Sequence, residues 1–445
     1  MPFELKQRSI ISLLSLLLIT AALLVVVTVS APIQADERAK YKEKQTKALR
    51  AKVYEKLAKA QEEQEAGNYS DALDILEGLK NRKGKSALQP HELAQLYNFY
   101  AYVYLAQEKY PQAITNFEKV MQQPELYIGI AASTQYALAQ LYFATDKTNK
   151  AVSTLESWFK IADKPGPDAY VLLAQGYMQQ EKIDAALPQL LKAFSLAKEK
   201  GKPPKENWYT LLQYIYAEKK DYPKQVKALE VLVNNWPKKA YWLSLVGVYG
   251  ELEQDKKRLS ALEAAYMQGF LDKESYLVAL AQMLSAFDMP YKAAKVMEKG
   301  FKDELIEASA KNLERTGEYW RRAQEIEKAL PRLAQAAKLA EDGEPAIRLA
   351  YLYQQNYEYD KAAAAVQQAF NKGGIKRPLE ARFLLGQAQF NAKKFEQARK
   401  SFKRVIADSK KDKDQKRMQK LASQWLKYME TEIQRQKEIK TYLKA

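Results

Sequence analysis

An alanine that returns at a nearly constant interval constrains this chain more than any other feature. The stretches EQEAGNYSDALDILEGL (63–79), LAQEKYPQAITNFEKV (105–120), QQNYEYDKAAAAVQQA (354–369) and FNAKKFEQARKSFKRV (390–405) align with one another. In each, a helical pattern ends and the chain turns at polar or small residues. An aromatic follows, Ala stands three residues later, and a large apolar residue four beyond that. The alanine recurs at Ala72, Ala113, Ala151, Ala186, Ala329, Ala362 and Ala398, and Gln225, Arg258 and Lys292 take its place in three weaker copies. Successive spacings run from 33 to 41 residues. A self-similar period of that size marks stacked supersecondary units, each of which buries its apolar face only against a neighbour. Only 16 Gly and 16 Pro occur among 445 residues, too few for a chain of tight β-turns.

A period near 34 with two helices per unit resembles the tetratricopeptide repeat over about residues 50–410. The resemblance implies an all-α, right-handed superhelical solenoid of about ten tetratricopeptide-type helix pairs with a C-terminal capping helix. A small residue at the eighth position (Ala60, Ala101, Ala139, Ala174, Ala350, Gly386) lets the first helix of a pair approach the second. An aromatic at the eleventh (Tyr104, Tyr142, Tyr177, Tyr216, Tyr249, Tyr353) fills the gap to the next pair. Most of the 29 tyrosines are therefore packing residues. Pro111, Pro223 and Pro290 fall in the first turn of second helices, where the missing N–H has no partner to lose. The chain divides into 1–35, a leader; 36–52, a basic N-terminal helix or lead-in; 53–408, the repeat array; and 409–445, a basic capping helix. In that last stretch Met418, Leu421, Trp425, Tyr428, Met429 and Ile433 form an apolar stripe suited to cover the final repeat.

The N-terminus carries Lys6 and Arg8, an apolar stretch from Ile10 to Val29, then small residues up to Ala35 and the acidic pair Asp36-Glu37. That order is a secretory signal peptide cleaved after Ala35. About 20 apolar residues would also span a bilayer, so retention as an inner-membrane anchor is the alternative. The six basic residues Arg38, Lys40, Lys42, Lys44, Lys47 and Arg50 would then favour a cytoplasmic flank. Export predicts a periplasmic protein and puts nucleic acid out of reach, despite a net charge of +17. Residues 38–59 and 403–445 each carry a net +7, so charge is concentrated at the two ends of the chain. Solvated end helices account for this, as does attraction to anionic lipid or to an acidic partner.

Cysteine is absent and His91 is the one histidine, which removes disulfides, thiol nucleophiles, iron–sulfur clusters and multi-histidine metal sites. No phosphate-binding, nucleophile-elbow or metalloprotease motif is present. The expectation is a non-enzymatic protein with no cofactor, metal or small-molecule substrate. A carboxylate hydrolase seated in the irregular stretch 239–320 would require two buried acids within about 5–10 Å of each other.

In the repeat's register the second, fifth, ninth and twelfth positions of the first helices point into a binding groove. This selects Asn98, Tyr102 and Leu105; Tyr136, Gln140 and Phe143; Val171, Gln175 and Met178; then Asn207, Thr210 and Tyr214, with Phe383, Gln387 and Phe390 in the tenth unit. Asn98, Tyr102, Tyr136, Gln140, Phe143, Gln175, Met178 and Tyr214 form the candidate site. Its amides suit the backbone of an extended peptide and its aromatics suit apolar side chains. The fifth and ninth positions lack Lys and Arg in units one to five, so a clamp for a free carboxylate is not expected there. Tyr102, Tyr136 and Tyr214 would serve equally as packing beneath a neighbouring loop or the N-terminal helix.

The runs RAKVYEKLAKAQEEQEAGNYSDALDIL, YNFYAYVYLAQEKYPQAITNFEKV and YALAQLYFATDKTNKAVSTLESWF, within 50–165, carry a narrower resemblance. They are similar to exported repeat proteins encoded with TonB–ExbB–ExbD energy-transduction systems of Gram-negative bacteria. That resemblance implies a periplasmic accessory protein serving outer-membrane uptake of iron carriers or other nutrients, with TonB, ExbB or ExbD as partners. A chaperone-like assembly factor for cell-envelope proteins is the alternative. Cleavage is directly checkable: N-terminal sequencing of the protein from its own cells should begin at Asp36, whereas a sequence starting at Met1 would mean a retained anchor.

Overall fold

A computed structural model of the chain describes residues 35–42, 47–409 and 416–443. The apolar stretch 10–29 and the expected cleavage site's upstream side lie outside these residues. Among the described residues there is no β-strand, and no helix is long and apolar enough to cross a membrane. The chain falls into two compact halves, Met1–Trp236 and Pro237–Ala445. Pro237 disfavours helical backbone at Trp236, and helix α10 ends at Asn235 just before it.

Within the N-terminal half, five helix pairs follow one another. They are α1 (Ala51–Glu65) with α2 (Tyr69–Lys80), α3 (Pro90–Ala106) with α4 (Tyr110–Met121), and α5 (Ile128–Ala144) with α6 (Thr148–Ile161). Then come α7 (Pro167–Gln179) with α8 (Ile183–Glu199) and α9 (Glu206–Glu218) with α10 (Tyr222–Asn235). The C-terminal half begins with α11 (Lys239–Glu251) and α12 (Asp255–Met267), α13 (Glu274–Ala286) and α14 (Pro290–Lys302), and α15 (Ala310–Arg322) and α16 (Ile326–Leu339). It finishes with α17 (Glu344–Gln355) and α18 (Tyr359–Lys372), α19 (Pro378–Asn391) and α20 (Phe395–Ser409), and the long α21 (Lys416–Tyr442). Each helix packs on its sequence neighbour within a half, the arrangement of a tetratricopeptide-type solenoid.

The recurring alanine is the fourth residue of the second helix in each pair, and all seven copies are completely buried. A methyl group is all that fits where two helix axes cross closely. The eighth-position alanines of the first helices, Ala60, Ala101, Ala139, Ala174 and Ala350, are also fully buried. Two weak copies keep the register with larger groups. In the fifth pair Gln225 lies buried and its amide donates to Gln213 Oε1 at 3.3 Å. In the sixth, Arg258 stands in place of alanine. The third copy corrects the sequence reading: the fourth residue of α14 is Ala293, fully buried, and Lys292 is exposed beside it. The helix starts at Pro290 itself, one residue later than the Tyr-Pro starts of α4 and α10 suggest.

All ten turns inside the pairs share one geometry. A residue with φ between 53° and 62° sits two positions before the second helix at Glu108, Asp146, Glu181, Lys220, Glu253, Asp288, Gln324, Tyr357 and Lys393, and Gly67 takes the place in the first pair. The next N–H then donates to a carbonyl five residues back at 2.8–2.9 Å, as Lys109 does to Tyr104 and Glu358 to Tyr353. This left-handed closure satisfies helix-end carbonyls and ordinarily favours glycine, so nine turns hold it with side chains that resist it.

The eleventh-position aromatic couples consecutive pairs. Tyr142 Oη donates to Glu118 at 2.6 Å, Tyr177 Oη to Glu156 at 2.7 Å and Trp320 Nε1 to Glu298 at 3.0 Å. Each acid is the ninth residue of the preceding second helix. Lysines at the third residue of the following helix cover the same rings: Lys150 lies 5.7 Å from the Tyr142 centroid, Lys328 4.9 Å from Trp320 and Lys361 5.6 Å from Tyr353.

Helix α21 closes the array. Met418, Ala422 and Met429 are buried against Ala398, Phe402 and Val405, and Trp425 stacks on Phe402 with centroids 5.9 Å apart. At the other end the expected lead-in 36–52 has one helical turn, Ala35–Arg38, followed by a turn at 39–40, and its last two residues already belong to α1. Lys42 N donates to Leu126 O at 3.1 Å and Ile128 N donates to Lys42 O at 3.2 Å. The ring of Tyr41 packs on the cluster of Ala94, Val120, Leu126, Ala131 and Ile161.

The strained turns generate a stability prediction. Tyr357 is 79% exposed with φ 60°, so Tyr357→Gly should stabilise the C-terminal half by about 0.5–1 kcal/mol. The urea midpoint should rise for glycine and not for Tyr357→Ala; equal midpoints for the two variants would refute the strain assignment.

Candidate partner-binding face

The candidate residues sit on α3, α5, α7 and α9, and the structure sorts them into two kinds. Phe143 and Met178, at the twelfth position, belong to the packing between repeats. The Phe143 ring lies 2.6 Å from where a Cβ on Gly176 would stand, so the next helix can approach only because residue 176 has no side chain. Met178 packs on a cluster that includes Ala174, Leu190, Trp208 and Ile215. Leu105 likewise joins Leu138, Leu141 and Tyr142. In the tenth pair Phe383 and Phe390 are covered by α21, with Trp425 centroids 6.1 and 5.7 Å away. Period assigns these residues to the right helix face, but the neighbour that covers them comes from elsewhere in the chain.

The fifth and ninth positions of α3, α5 and α9 remain accessible, as does the ninth of α7, whereas the fifth of α7, Val171, is buried in the core. Tyr102 is 40% exposed, its ring edge-on to Phe117 of α4 at 5.4 Å, and Tyr214 is 43% exposed. Tyr136 is half-buried with its ring 4.8 Å from Trp158 of α6. Burial, helped by the charge of Asp168, pushes the Tyr136 phenol up to about 12. Burial also raises Tyr102, and burial followed by the charge and hydrogen bond of Glu218 raises Tyr214. All three phenols are therefore neutral donors at physiological pH. Asn98, Gln140 and Gln175 are partly buried. Their side-chain amides make no hydrogen bond among the described residues. An amide half out of water without a partner retains both donor and acceptor for a ligand backbone. Thr210 Oγ1, by contrast, bonds the Glu206 carbonyl at 3.1 Å.

No group of three or more His, Asp or Glu residues that could hold a metal occurs among the described residues. Glu92 is the one buried acid there, and none lies in 239–320. His91 is the second residue of α3, with Nε2 buried and unpartnered.

Glu92 anchors a feature that sequence reasoning missed. Arg50 Nη2 reaches Glu92 Oε2 at 2.6 Å, and Arg50 Nε reaches Oε1 at 2.8 Å, a bidentate pair. The same guanidinium donates to Ala87 O at 2.7 Å, and Gln89 N donates to Glu92 Oε2 at 2.9 Å. Burial alone would raise the Glu92 carboxyl; the Arg50 and Gln89 hydrogen bonds and the Arg50 charge outweigh it and hold it at about 2. Gln89 and Glu92, three residues apart at a helix start, are the capping-box signal that could have marked the site. The partner Arg50 lies 42 residues away and carries no such signal.

The family model described as tetratricopeptide repeat matches residues 347–413. No curated protein matches the sequence. Similar solved structures include a tetratricopeptide repeat protein from Parabacteroides merdae, 16% identical, covering 68% of this chain and 98% of that one, with TM-score 0.33. YrrB, a TPR protein with an unusual peptide-binding site, is 16% identical over 44% of this chain and 92% of its own, with TM-score 0.35. MamA is 18% identical over 39% and 92%, with TM-score 0.33. Likenesses at these scores transfer neither sites nor partners.

The Arg50–Glu92 pair has a pH signature. The folded value of Glu92 lies below its ordinary 4.5, so the pair stabilises the fold above pH 4.5 and that contribution disappears as pH falls toward 2. Glu92→Gln should cost about 2–3 kcal/mol at pH 7 and flatten that part of the acid-unfolding curve. A variant whose acid curve parallels the parent's would show that Glu92 is not the titrating group.

Proposed function

We propose that the chain is an exported, periplasmic, non-enzymatic interaction scaffold that holds an extended peptide across α3, α5, α7 and α9. The observation that carries this reading is the set of unpartnered amides of Asn98, Gln140 and Gln175, flanked by the exposed rings of Tyr102 and Tyr214. Backbone groups of a bound segment would pair with the amides, and its apolar side chains would rest on the tyrosines. A helical-repeat scaffold needs no reacting groups, in keeping with the chemistry present on this face.

The partner proposed is a component of a TonB–ExbB–ExbD system, on the strength of the similarity of residues 50–165 to accessory proteins of such systems. The basic leader and apolar segment support export. The net +7 of residues 38–59 would hold the N-terminal end near anionic lipid, whether or not the leader is removed.

The test is mild crosslinking and affinity purification from cells grown without iron. TonB, ExbB or ExbD should be recovered. Asn98→Ala combined with Tyr102→Ala should lower that recovery at least about tenfold, because two central contacts are lost. A mixture of unrelated envelope proteins would replace this reading with the chaperone-like one, and cytoplasmic partners would reverse the topology.

A further inference from the structure

The chain carries the same short run twice in one register, ALPQ at 186–189 in α8 and ALPR at 329–332 in α16. Gln189 and Arg332 are therefore equivalent residues, each three beyond its crossing alanine. The second helix of the preceding pair matches as well. Its ninth residue is an acid, Glu156 in α6 and Glu298 in α14, and a phenylalanine follows three later, Phe159 and Phe301. Each acid also accepts from the aromatic of the helix between: Tyr177 Oη donates to Glu156 Oε1 at 2.7 Å, and Trp320 Nε1 to Glu298 Oε1 at 3.0 Å. One framework thus occurs twice, with glutamine in one copy where the other has arginine.

In the C-terminal copy Arg332 completes the arrangement. Its Nε donates to Glu298 Oε1 at 2.9 Å and its Nη2 to Oε2 at 2.5 Å, while Cζ lies 5.5 Å from the Phe301 centroid. A planar guanidinium meets a carboxylate in this forked manner and lays its face on an aromatic ring. In the N-terminal copy that partner is missing. Glu156 accepts from Tyr177 and forms no ion pair among the described residues, and the Gln189 amide makes no hydrogen bond there. A surface cavity of about 420 Å³ opens beside Glu156 and Gln189, lined also by Phe159, Tyr170, Asp163 and Lys164. The Phe159 and Tyr170 rings lie 4.7 Å apart. The charge of the two copies is opposite. Two acids and one lysine line the N-terminal cavity, whereas Lys295, Lys299, Lys302 and Arg332 outnumber Glu298 and Asp303 in the C-terminal one.

We propose that the cavity at Glu156 is a docking site for an arginine side chain of a partner protein, received as Glu298 receives Arg332. The guanidinium would take both Glu156 oxygens through two N–H donors and lie over Phe159. Oε1 would then be shared with Tyr177, as Glu298 Oε1 is shared by Trp320 and Arg332. A protein-borne arginine is the occupant because the guanidinium of the C-terminal copy arrives as a side chain on a helix, and only its head group is recognised. The site shares no residue with the amide face of α3, α5, α7 and α9, so either can fail alone.

The experiment titrates the full chain into N-acetyl-Ala-Arg-Ala amide carrying a neutral fluorophore, read by fluorescence anisotropy. The arginine peptide should bind saturably. The peptide with citrulline, of the same shape without the charge, should bind at least about tenfold more weakly, and the lysine peptide at least about threefold. Glu156→Gln keeps an acceptor for Tyr177 and should weaken the arginine peptide at least about tenfold. Gln189→Arg supplies the guanidinium from within the chain and should block the peptide to a similar extent, whereas Gln189→Ala should retain it. Equal affinity for the arginine and citrulline peptides, or for the arginine and lysine peptides, overturns the proposal. So does binding that is unchanged in Glu156→Gln or in Gln189→Arg, and so does its loss in Gln189→Ala. Free L-arginine binding more tightly than the peptide would reassign the cavity to the amino acid and remove the partner protein.

Discussion

In eight of the ten pairs the second helix presents no more than a methyl group where the two helices cross, and that steric condition underlies most other regularities in this chain. With Ala60 facing the region of Ala72, or Ala139 that of Ala151, the axes come near enough for the flanking large residues to interlock. Adding even one or two methylenes at such a point costs about 1–3 kcal/mol through displaced neighbours. Once the crossing is set, the length of the turn is set too. The left-handed residue two positions before each second helix is the price of keeping that length in all ten pairs. Nine non-glycine residues accept the conformation because the closing hydrogen bond to a carbonyl five residues back is always made.

The same geometry gives the eleventh-position aromatic its several tasks. Its carbonyl accepts the turn's hydrogen bond, its ring lies beneath a lysine of the next helix, and its polar tip reaches an acid of the preceding pair. Tyr142 combines all three, through Lys147 N, Lys150 and Glu118. A residue that joins one pair to the next in this way makes stability depend on neighbours, as expected of a quasi-one-dimensional array. The ends lack such a neighbour and are closed by other means. Trp425 and its helix cover the last pair, and the Arg50–Glu92 pair with the Tyr41–Lys42 segment secures the first ones.

Departures from the rule are informative because they are expensive. Gln213 and Gln225 replace a small-residue crossing with a hydrogen-bonded pair that satisfies the Gln225 amide N–H but leaves its buried Oε1 without a partner. Arg258 is half-buried, its Nε likewise lacks a partner, and its guanidinium lies against Gly250 of the facing helix.

Much of this was legible in the residues alone. Alanines at intervals of 33 to 41 residues, with aromatics and small residues at fixed offsets, determined the helix pairs, their number and the capping helix, because short-range sterics repeat wherever the same residues recur. The slip at Lys292 shows the limit: a one-residue change in where α14 starts is invisible to a pattern read from the turn, yet it decides that Ala293 is the buried residue. Exposure was the larger uncertainty. Position in the period told that Tyr102, Phe143 and Phe390 share one helical face. Only the tertiary structure decided that Phe143 is covered by the helix bearing Gly176, Phe390 by Trp425 from the final helix, and Tyr102 by nothing that hides it. Periodicity is a property of one helix, whereas burial is a property of whatever the chain brings against it, and Glu92 meeting Arg50 across 42 residues belongs to that second kind of fact.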